Sequence, residues 1–284
     1  MTAINDKKEQ FLSKMREFVQ KDIVVAFSGG VDSSLVLAAA CREAQKTGKK
    51  VFAVVVQTNL HPAVEIWDAR HLAGQMGAEP FVIEVDELQE AGIIKNPENR
   101  CYLCKKCLFQ KIQKKAAELG AETILEGTNE DDLHVYRPGI QALRELNIIS
   151  PLAMAHITKK EIRQMAQEYG LETAEKPAAP CLATRFPYGT FLNEEKLKCV
   201  EKGEAYLKSC GLKNVRLRVH EDIARIEVEF SDFTSLLARK REITEYLKQL
   251  GYQYITLDLE GFRSGSMDIY ILEEHTAEQN GGER

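Results

Sequence analysis

Ser28-Gly29-Gly30-Val31-Asp32-Ser33 sets two adjacent glycines between hydroxyl side chains, directly after the apolar run Ile23–Phe27 and directly before a stretch of helical periodicity. Glycine has no Cβ, so the backbone N–H groups of such a turn can approach an anion closely, and the start of the next helix adds the positive end of its dipole. Ser28 and Ser33 add hydroxyl donors. The spacing is that of a phosphate cradle. The chain has neither GxxxxGK[ST] nor GxGxxG here, which separates the turn from a Walker loop and from a dinucleotide fingerprint. A second reactive group is Cys101, Cys104 and Cys107, a CxxCxxC run at the start of another helical pattern. Their i, i+3 spacing puts Cys101 and Cys104 on one side of a turn, where they could hold zinc, an iron–sulfur cluster or nothing. Two thiolates do not complete such a site, and Cys181, in the proline-rich stretch APCLATRFPYG, is the candidate for a third. Cys41 and Cys199 within helical stretches and Cys210 at a helix end read as packing residues.

Elements that alternate strand and helix must position these groups. From Asp22 to about Gly170, short β-branched runs (Ile23–Phe27, Val51–Gln57, Phe81–Val85, Thr123–Glu126) alternate with helical spacing. Ile66, Ala69, Ala73 and Met76 form one stripe, and Leu108, Ile112, Ala116 and Leu119 another, with Gly120 placed to end it. Thr158 and Glu161 match a capping box that opens a further helix. This pattern predicts an α/β fold, a doubly wound parallel sheet with crossover helices. Pro177, Pro180, Pro187 and Gly189 break any regular element, so residues 1–176 are expected as one domain and 177–273 as a smaller α+β domain. Within the second come a helix over about 193–210, strands with Val215, Leu217, Val219 and Ala224, Ile226, Val228 inward, a helix to Leu250 and a strand near 255–259. The tail 274–284 has too little apolar content to pack and is expected to be disordered.

A chain of 284 residues can bury a sizeable core, and no apolar run approaches the ~18 residues that cross a bilayer. The start, MTAINDKKEQFLSKMREF, lacks the apolar core of a secretory leader, so a cytoplasmic protein without membrane attachment is expected. A net charge of −5 argues against a protein that coats nucleic acid. Seven cysteines without an export signal read as thiols, ligands or catalytic groups rather than disulfides.

SGGVDSS resembles the PP-loop of the ATP pyrophosphatases, in which the loop holds the β and γ phosphates that leave as pyrophosphate while AMP passes to the substrate. The resemblance implies ATP with Mg²⁺, held by Ala26, Ser28, Gly29, Gly30, Asp32, Ser33 and Val55. It also makes Gly127-Thr128-Asn129 a second nucleotide-contacting turn, although by composition alone this is an ordinary turn. Asp32 and Ser33, with Cys181, are the candidate catalytic residues. SGGVDSS, RCYLCKK, GTNEDD with YRPG, CLATRFPYG, VRLRVHEDIARIE and LDLEGFRSGSM, in that order, resemble the LarE family of ATP-dependent sulfur transferases from about Asp22 to Met267. That resemblance implies adenylation of pyridinium-3,5-biscarboxylic acid mononucleotide and its conversion to a thiocarboxylate, a step toward the nickel-pincer nucleotide cofactor. It implies a homo-oligomer, trimer or hexamer, and a nickel-insertion protein downstream.

Two sulfur sources occur in the family, a hinge cysteine that surrenders its own sulfur and a [4Fe–4S] cluster on three cysteines. Cys101 and Cys104 beside Cys181 favour the cluster, with sacrifice of Cys181 as the alternative. In the second half, Leu197, Val200, Glu204 and Leu207 share a helical stripe, so Glu204 points where an apolar residue is expected and needs a partner. Arg216, Arg218 and His220 alternate on one strand, with Arg225 and Glu227 on the next. By resemblance, Glu204 and Asp232 hold a divalent metal and Arg216 and Arg218 contact substrate phosphate; the plain reading of the arginines is a solvated face with ordinary ion pairs. A PP-loop tRNA-thiolation enzyme is a rival reading, as is an amide-forming ligase. A nucleotide sensor with a zinc clip is the rival that is not an enzyme.

Overall fold

The alternation of apolar runs with helical stripes folds as a parallel sheet wrapped on both faces. The computed structural model describes residues 2–61, 63–135, 137–175 and 181–263. Its first unit takes in Met1–Ile93 and Asn99–Ala179. In chain order this unit runs α1 (Thr2–Phe18), β1 (Ile23–Ala26), α2 (Val31–Thr47), β2 (Val51–Thr58), α3 (Ala63–Gln75), β3 (Glu79–Val85) and α4 (Glu87–Glu90). It continues with α5 (Arg100–Glu118), β4 (Thr123–Leu125), α6 (Gly139–Glu145), α7 (Pro151–Met154) and α8 (Lys159–Glu168). The strands are parallel in the order β3-β2-β1-β4.

Successive side chains of the central strands enter different apolar layers, which is why the runs read as continuously apolar rather than alternating. Ile23, Val25, Val51, Ala53 and Val55 pack with Leu35 of α2, Ala69 and Ala73 of α3, and Ile162 and Met165 of α8. Val24, Phe52 and Val54 pack with Phe109, Ile112 and Ala116 of α5 and Leu143 of α6. The α5 stripe holds at Ile112 and Ala116, with Leu119 packed against the same cluster, and differs from expectation at one position, where Phe109 is buried in place of Leu108. The charged start of the chain forms α1, whose Phe11 and Met15 are fully buried one turn apart. Four-residue spacing was the signal, diluted by the lysines and glutamates between. The Thr158–Glu161 capping box is present, with both reciprocal bonds.

Because β2 lies on one side of β1 and β4 on the other, the direction of winding reverses between β1 and β4. Open α/β sheets bind ligands in the crevice beyond the carboxyl ends of the strands at such a reversal. The segments that leave those two ends are residues 27–30 and 126–129.

The second unit comprises residues 94–98 together with the described residues from 181 onward. It holds α9 (Glu194–Ser209), β5 (Val215–His220), β6 (Ile223–Val228), α10 (Phe233–Ala238), α11 (Lys240–Gln249) and β7 (Tyr254–Leu257). β5 and β6 pair antiparallel while β7 joins β6 in parallel, so the small sheet is mixed. Val215, Leu217, Val219, Ala224, Ile226 and Val228 are buried as their alternation requires. Residues 94–98 are tied in by Asn96, which is buried with φ 47°, and its side-chain amide donates to the carbonyls of Phe186 (3.1 Å) and Pro187 (2.9 Å). The proline stretch at 176–180 and the tail 274–284 lie outside the described residues.

Candidate functional site

In the first unit, β1 delivers the chain into the glycine turn and α2 carries it away. Gly29 has φ +70°, and a Cβ built there would lie 3.1 Å from the Ala69 Cβ of α3, so both conformation and space require glycine. No side chain caps the start of α2, and its first intrahelical bond runs from the Ser34 N–H to the Gly30 carbonyl. The amides of residues 31–33 therefore precede the hydrogen-bonded ladder, and they are what an anion would meet. Ser33 Oγ donates to the Gly30 carbonyl at 3.1 Å and lies 3.2 Å from Ser28 Oγ, so the two hydroxyls sit on one side of the turn.

The turn after β4 is brought against this helix start. A Cβ on Gly127 would stand 2.8 Å from the Ser33 nitrogen and 3.1 Å from the Asp32 carbonyl carbon, an approach open only to glycine. Asn129 Nδ2 donates to Asp32 Oδ1 at 3.3 Å. Thr128 folds back on the buried carboxylate of Glu126, which accepts from its N–H (2.8 Å) and hydroxyl (2.9 Å) and also from Ser150 Oγ. Lys105 Nζ lies 3.8 Å from the same carboxylate. Of the residues singled out from sequence, Ser28, Gly29, Gly30, Asp32, Ser33, Gly127 and Thr128 thus converge at the winding reversal. Ala26 ends β1, and Val55 is a buried residue of β2. Sequence reasoning missed Glu126 and Lys159, whose Nζ donates to Asp32 Oδ2 at 2.5 Å. The only prior mark on Lys159 was its place just inside a capping box.

Cys101 and Cys104 fall in the first two turns of α5, Cys101 exposed and Cys104 half-buried. Cys107, half-buried one turn on, has its thiol pushed up by burial and then by Glu90, which disfavours the thiolate a metal needs. Cys41 is raised to about 12 by burial alone and is a packing residue.

In the second unit, Cys181 precedes a short turn, Leu182–Arg185, built around two arginines. Arg185 is buried and forms a two-pronged pair with buried Glu204, Nε to Oε1 at 2.7 Å and Nη2 to Oε2 at 3.0 Å. Glu204 Oε1 also accepts from the Leu217 N–H at 3.0 Å. The acid that sequence placed on an apolar stripe therefore has its partner in Arg185, which sequence reasoning did not single out. Arg185 Nη1 reaches Thr184 Oγ1 (2.7 Å), whose hydroxyl in turn donates to the Cys181 carbonyl (2.8 Å). Arg218 Nη1 donates to the Thr184 carbonyl at 2.7 Å and its Nε to Glu227 at 3.0 Å. Glu227 is fully buried and also accepts from Arg225 at 3.2 Å, which offsets the facing of Arg218 against Arg225 across the strands. Arg216 lies over the Phe262 ring at 5.2 Å. Burial lowers the pKa values of Arg216 and Arg218, with Arg185 adding repulsion to each. Asp232 is half-buried at the start of α10. Among the described residues no group of three or more His, Cys, Asp and Glu side chains is arranged to hold a metal ion. No described helix is long and apolar enough to cross a membrane.

A glycine turn running into a helix start at the winding reversal of a parallel sheet is the geometry of an α/β domain suited to an anionic ligand, and residues 2–137 match the PP-loop domain family, whose members use ATP. An uncharacterised protein of Synechocystis is 39% identical over 269 residues, 92% of this chain and 97% of its own. The pyridinium-3,5-bisthiocarboxylic acid mononucleotide synthase of Lactiplantibacillus plantarum is 35% identical over 277 residues, 98% of this chain and 99% of its own. A tRNA-specific 2-thiouridylase of Rickettsia bellii is 25% identical over 227 residues, and the match covers 60% of its length. The chain belongs to the LarE family of PP-loop proteins and is an ATP-dependent sulfurtransferase.

Proposed function

We propose that this enzyme adenylates a carboxylate of pyridinium-3,5-biscarboxylic acid mononucleotide and converts it to the thiocarboxylate. The observation that carries the reading is the match to the synthase over 98% of the chain, joined to an intact glycine turn at the winding reversal. A carboxylate is a poor electrophile. Its oxygen attacks the α phosphorus of ATP, the bond from that phosphorus to the bridging oxygen breaks, and pyrophosphate leaves with the electron pair. Amides of residues 31–33 and the hydroxyls of Ser28 and Ser33 neutralise that charge, and Mg²⁺ bound with ATP would add further positive charge. A sulfur nucleophile then attacks the acyl carbon and AMP departs.

For the sulfur source we favour a [4Fe–4S] cluster held by Cys101, Cys104 and Cys181, which would supply a sulfide at its open iron. The i, i+3 spacing of Cys101 and Cys104 on α5 and the raised thiol of Cys107 support this ligand set. The alternative is attack by Cys181 itself: a thioester forms, a base removes the Cα proton, the Cβ–S bond breaks, and dehydroalanine remains at 181. Arg216 and Arg218 serve the substrate phosphate in this reading. A divalent metal on Glu204 and Asp232 would compete with Arg185 for the Glu204 carboxylate. Assembly as a trimer or hexamer and delivery to a nickel-insertion protein complete the proposal, in a cytoplasmic setting.

The test is anaerobic turnover with ATP and the dicarboxylate mononucleotide. Pyrophosphate release with a product in which one carboxylate oxygen is replaced by sulfur is expected; ADP and phosphate, or no product, would refute the reading. After turnover, an intact residue-181 peptide from iron-bearing protein supports the cluster, and loss of one sulfur from that peptide supports sacrifice.

A further inference from the structure

The two lysines that follow Cys104 on α5 have unlike surroundings. Lys106 Nζ donates to Tyr102 Oη at 2.7 Å and to Glu145 Oε2 at 2.8 Å, so its charge is taken up on the helix surface. Lys105 Nζ lies 3.8 Å from the Glu126 carboxylate, too far for a hydrogen bond, and finds no acceptor among the described residues. Glu126 is already occupied, since it accepts from the Thr128 N–H and hydroxyl and from Ser150 Oγ. The stem of Lys105 is nevertheless held in place. α6 begins against it, where a Cβ built on Gly139 would stand 3.5 Å from Lys105 Cβ, and the ammonium lies 5.3 Å from the centre of the Phe109 ring. With the side chain 36% exposed, an ammonium is aimed by a carboxylate and a ring while its three donors stay open to a ligand, on the cysteine-bearing helix and facing the turn that follows β4.

We infer that Lys105 binds a ring carboxylate of the substrate beside the nucleotide turn. This deepens the function proposed above and rests on it. In that reading the phosphates of ATP meet the amides of residues 31–33, and the substrate phosphate meets Arg216 and Arg218; the ring carboxylates have no cation. Adenylation brings one anion, the carboxylate, up to the phosphate of another, and an ammonium at the edge of the nucleotide turn lowers the repulsion of that approach. A lysine whose stem is already packed also loses less rotamer freedom on binding than a free one would.

The experiment is calorimetric titration of two pyridinium mononucleotides and of ATP into the full chain and into its Lys105→Met, Lys105→Arg and Lys106→Met variants. The mononucleotides are nicotinic acid mononucleotide, which carries one ring carboxylate, and nicotinamide mononucleotide, which carries an amide in its place. Methionine keeps the apolar stem and removes the charge. A hydrogen bond between two charged groups is about twice as strong as one to a neutral group, so Lys105→Met is expected to lower the acid-to-amide affinity ratio about tenfold. Lys105→Arg should regain part of that ratio, and Lys106→Met, the same charge change one residue on, should leave it unchanged. A ratio unmoved by Lys105→Met, or lowered as much by Lys106→Met, overturns the inference. So does a loss of ATP affinity in Lys105→Met as large as the loss for the acid, which would make Lys105 a nucleotide contact. Wild-type protein that binds neither mononucleotide would instead bring down the substrate reading beneath it.

Discussion

Gly127→Ala is the smallest change that separates the two segments of the nucleotide site. An added Cβ would meet the Ser33 nitrogen at 2.8 Å, where ordinary contact begins at 3.4 Å, and the Asp32 carbonyl carbon and Cβ at 3.1 Å. The obstacle is the backbone of the first turn of α2, with Val31, Ser33, Ser34 and Leu35 all buried behind it, so it cannot swing aside as a side-chain tip would. Relief requires the turn after β4 and the start of α2 to part by roughly half an ångström, and overpacking of this kind costs about 1–3 kcal/mol. The amides of residues 31–33 move with α2, so the cost falls on the phosphate cradle. At about 1.4 kcal/mol per factor of ten, ATP affinity is expected to drop on the order of five- to a hundredfold. Equilibrium titration of ATP, with thermal unfolding measured in parallel, reads both halves of the effect. A folded variant that binds ATP as tightly as the parent would refute the claim that this approach shapes the site.

In the second unit, Glu204→Leu strands the buried Arg185 and is expected to lower stability by about 3–5 kcal/mol in urea titrations, with much of the loss recovered when Arg185→Met is added; simple additivity of the two changes would count against a coupled pair. The Glu145 carboxyl is held down to about 2 by hydrogen bonds from Lys106, Tyr102 and Gln141. A carboxyl depressed on folding contributes stability that is present above its ordinary value near 4.5 and is lost as pH falls toward 2. Urea midpoints should therefore differ between wild type and Glu145→Gln at pH 6, converge by about pH 2, and differ less in molar salt because the group is exposed. A gap that persists undiminished to pH 2 would rule out this cause.

The glycine turn was legible because its chemistry is local: strand, two glycines, hydroxyls and helix start lie within a dozen consecutive residues, and the anion site is made largely of backbone. The capping box at Thr158 and the helix that begins after Asn193 and ends at Cys210 were legible for the same reason. Glu204 was half legible. An acid on an apolar stripe announces a buried charge, but nothing in its neighbourhood names Arg185, 19 residues away, as the group that neutralises it. α1 was overlooked because its buried residues, a turn apart, are outnumbered by charged ones.

By itself, then, the order of residues determined the phosphate cradle, the alternation that makes a doubly wound sheet, and the family, since each depends on groups close along the chain or on the succession of motifs. The tertiary structure alone decided that Gly127 touches Ser33, that Lys159 meets Asp32, and that residues 94–98 pack with the second unit. Those contacts join residues about 90 or more positions apart, and the first two are set by which strand lies beside which. A sheet in which β4 stood beyond β3 would use the same helices and strands and would bring neither Gly127 to Ser33 nor Lys159 to Asp32.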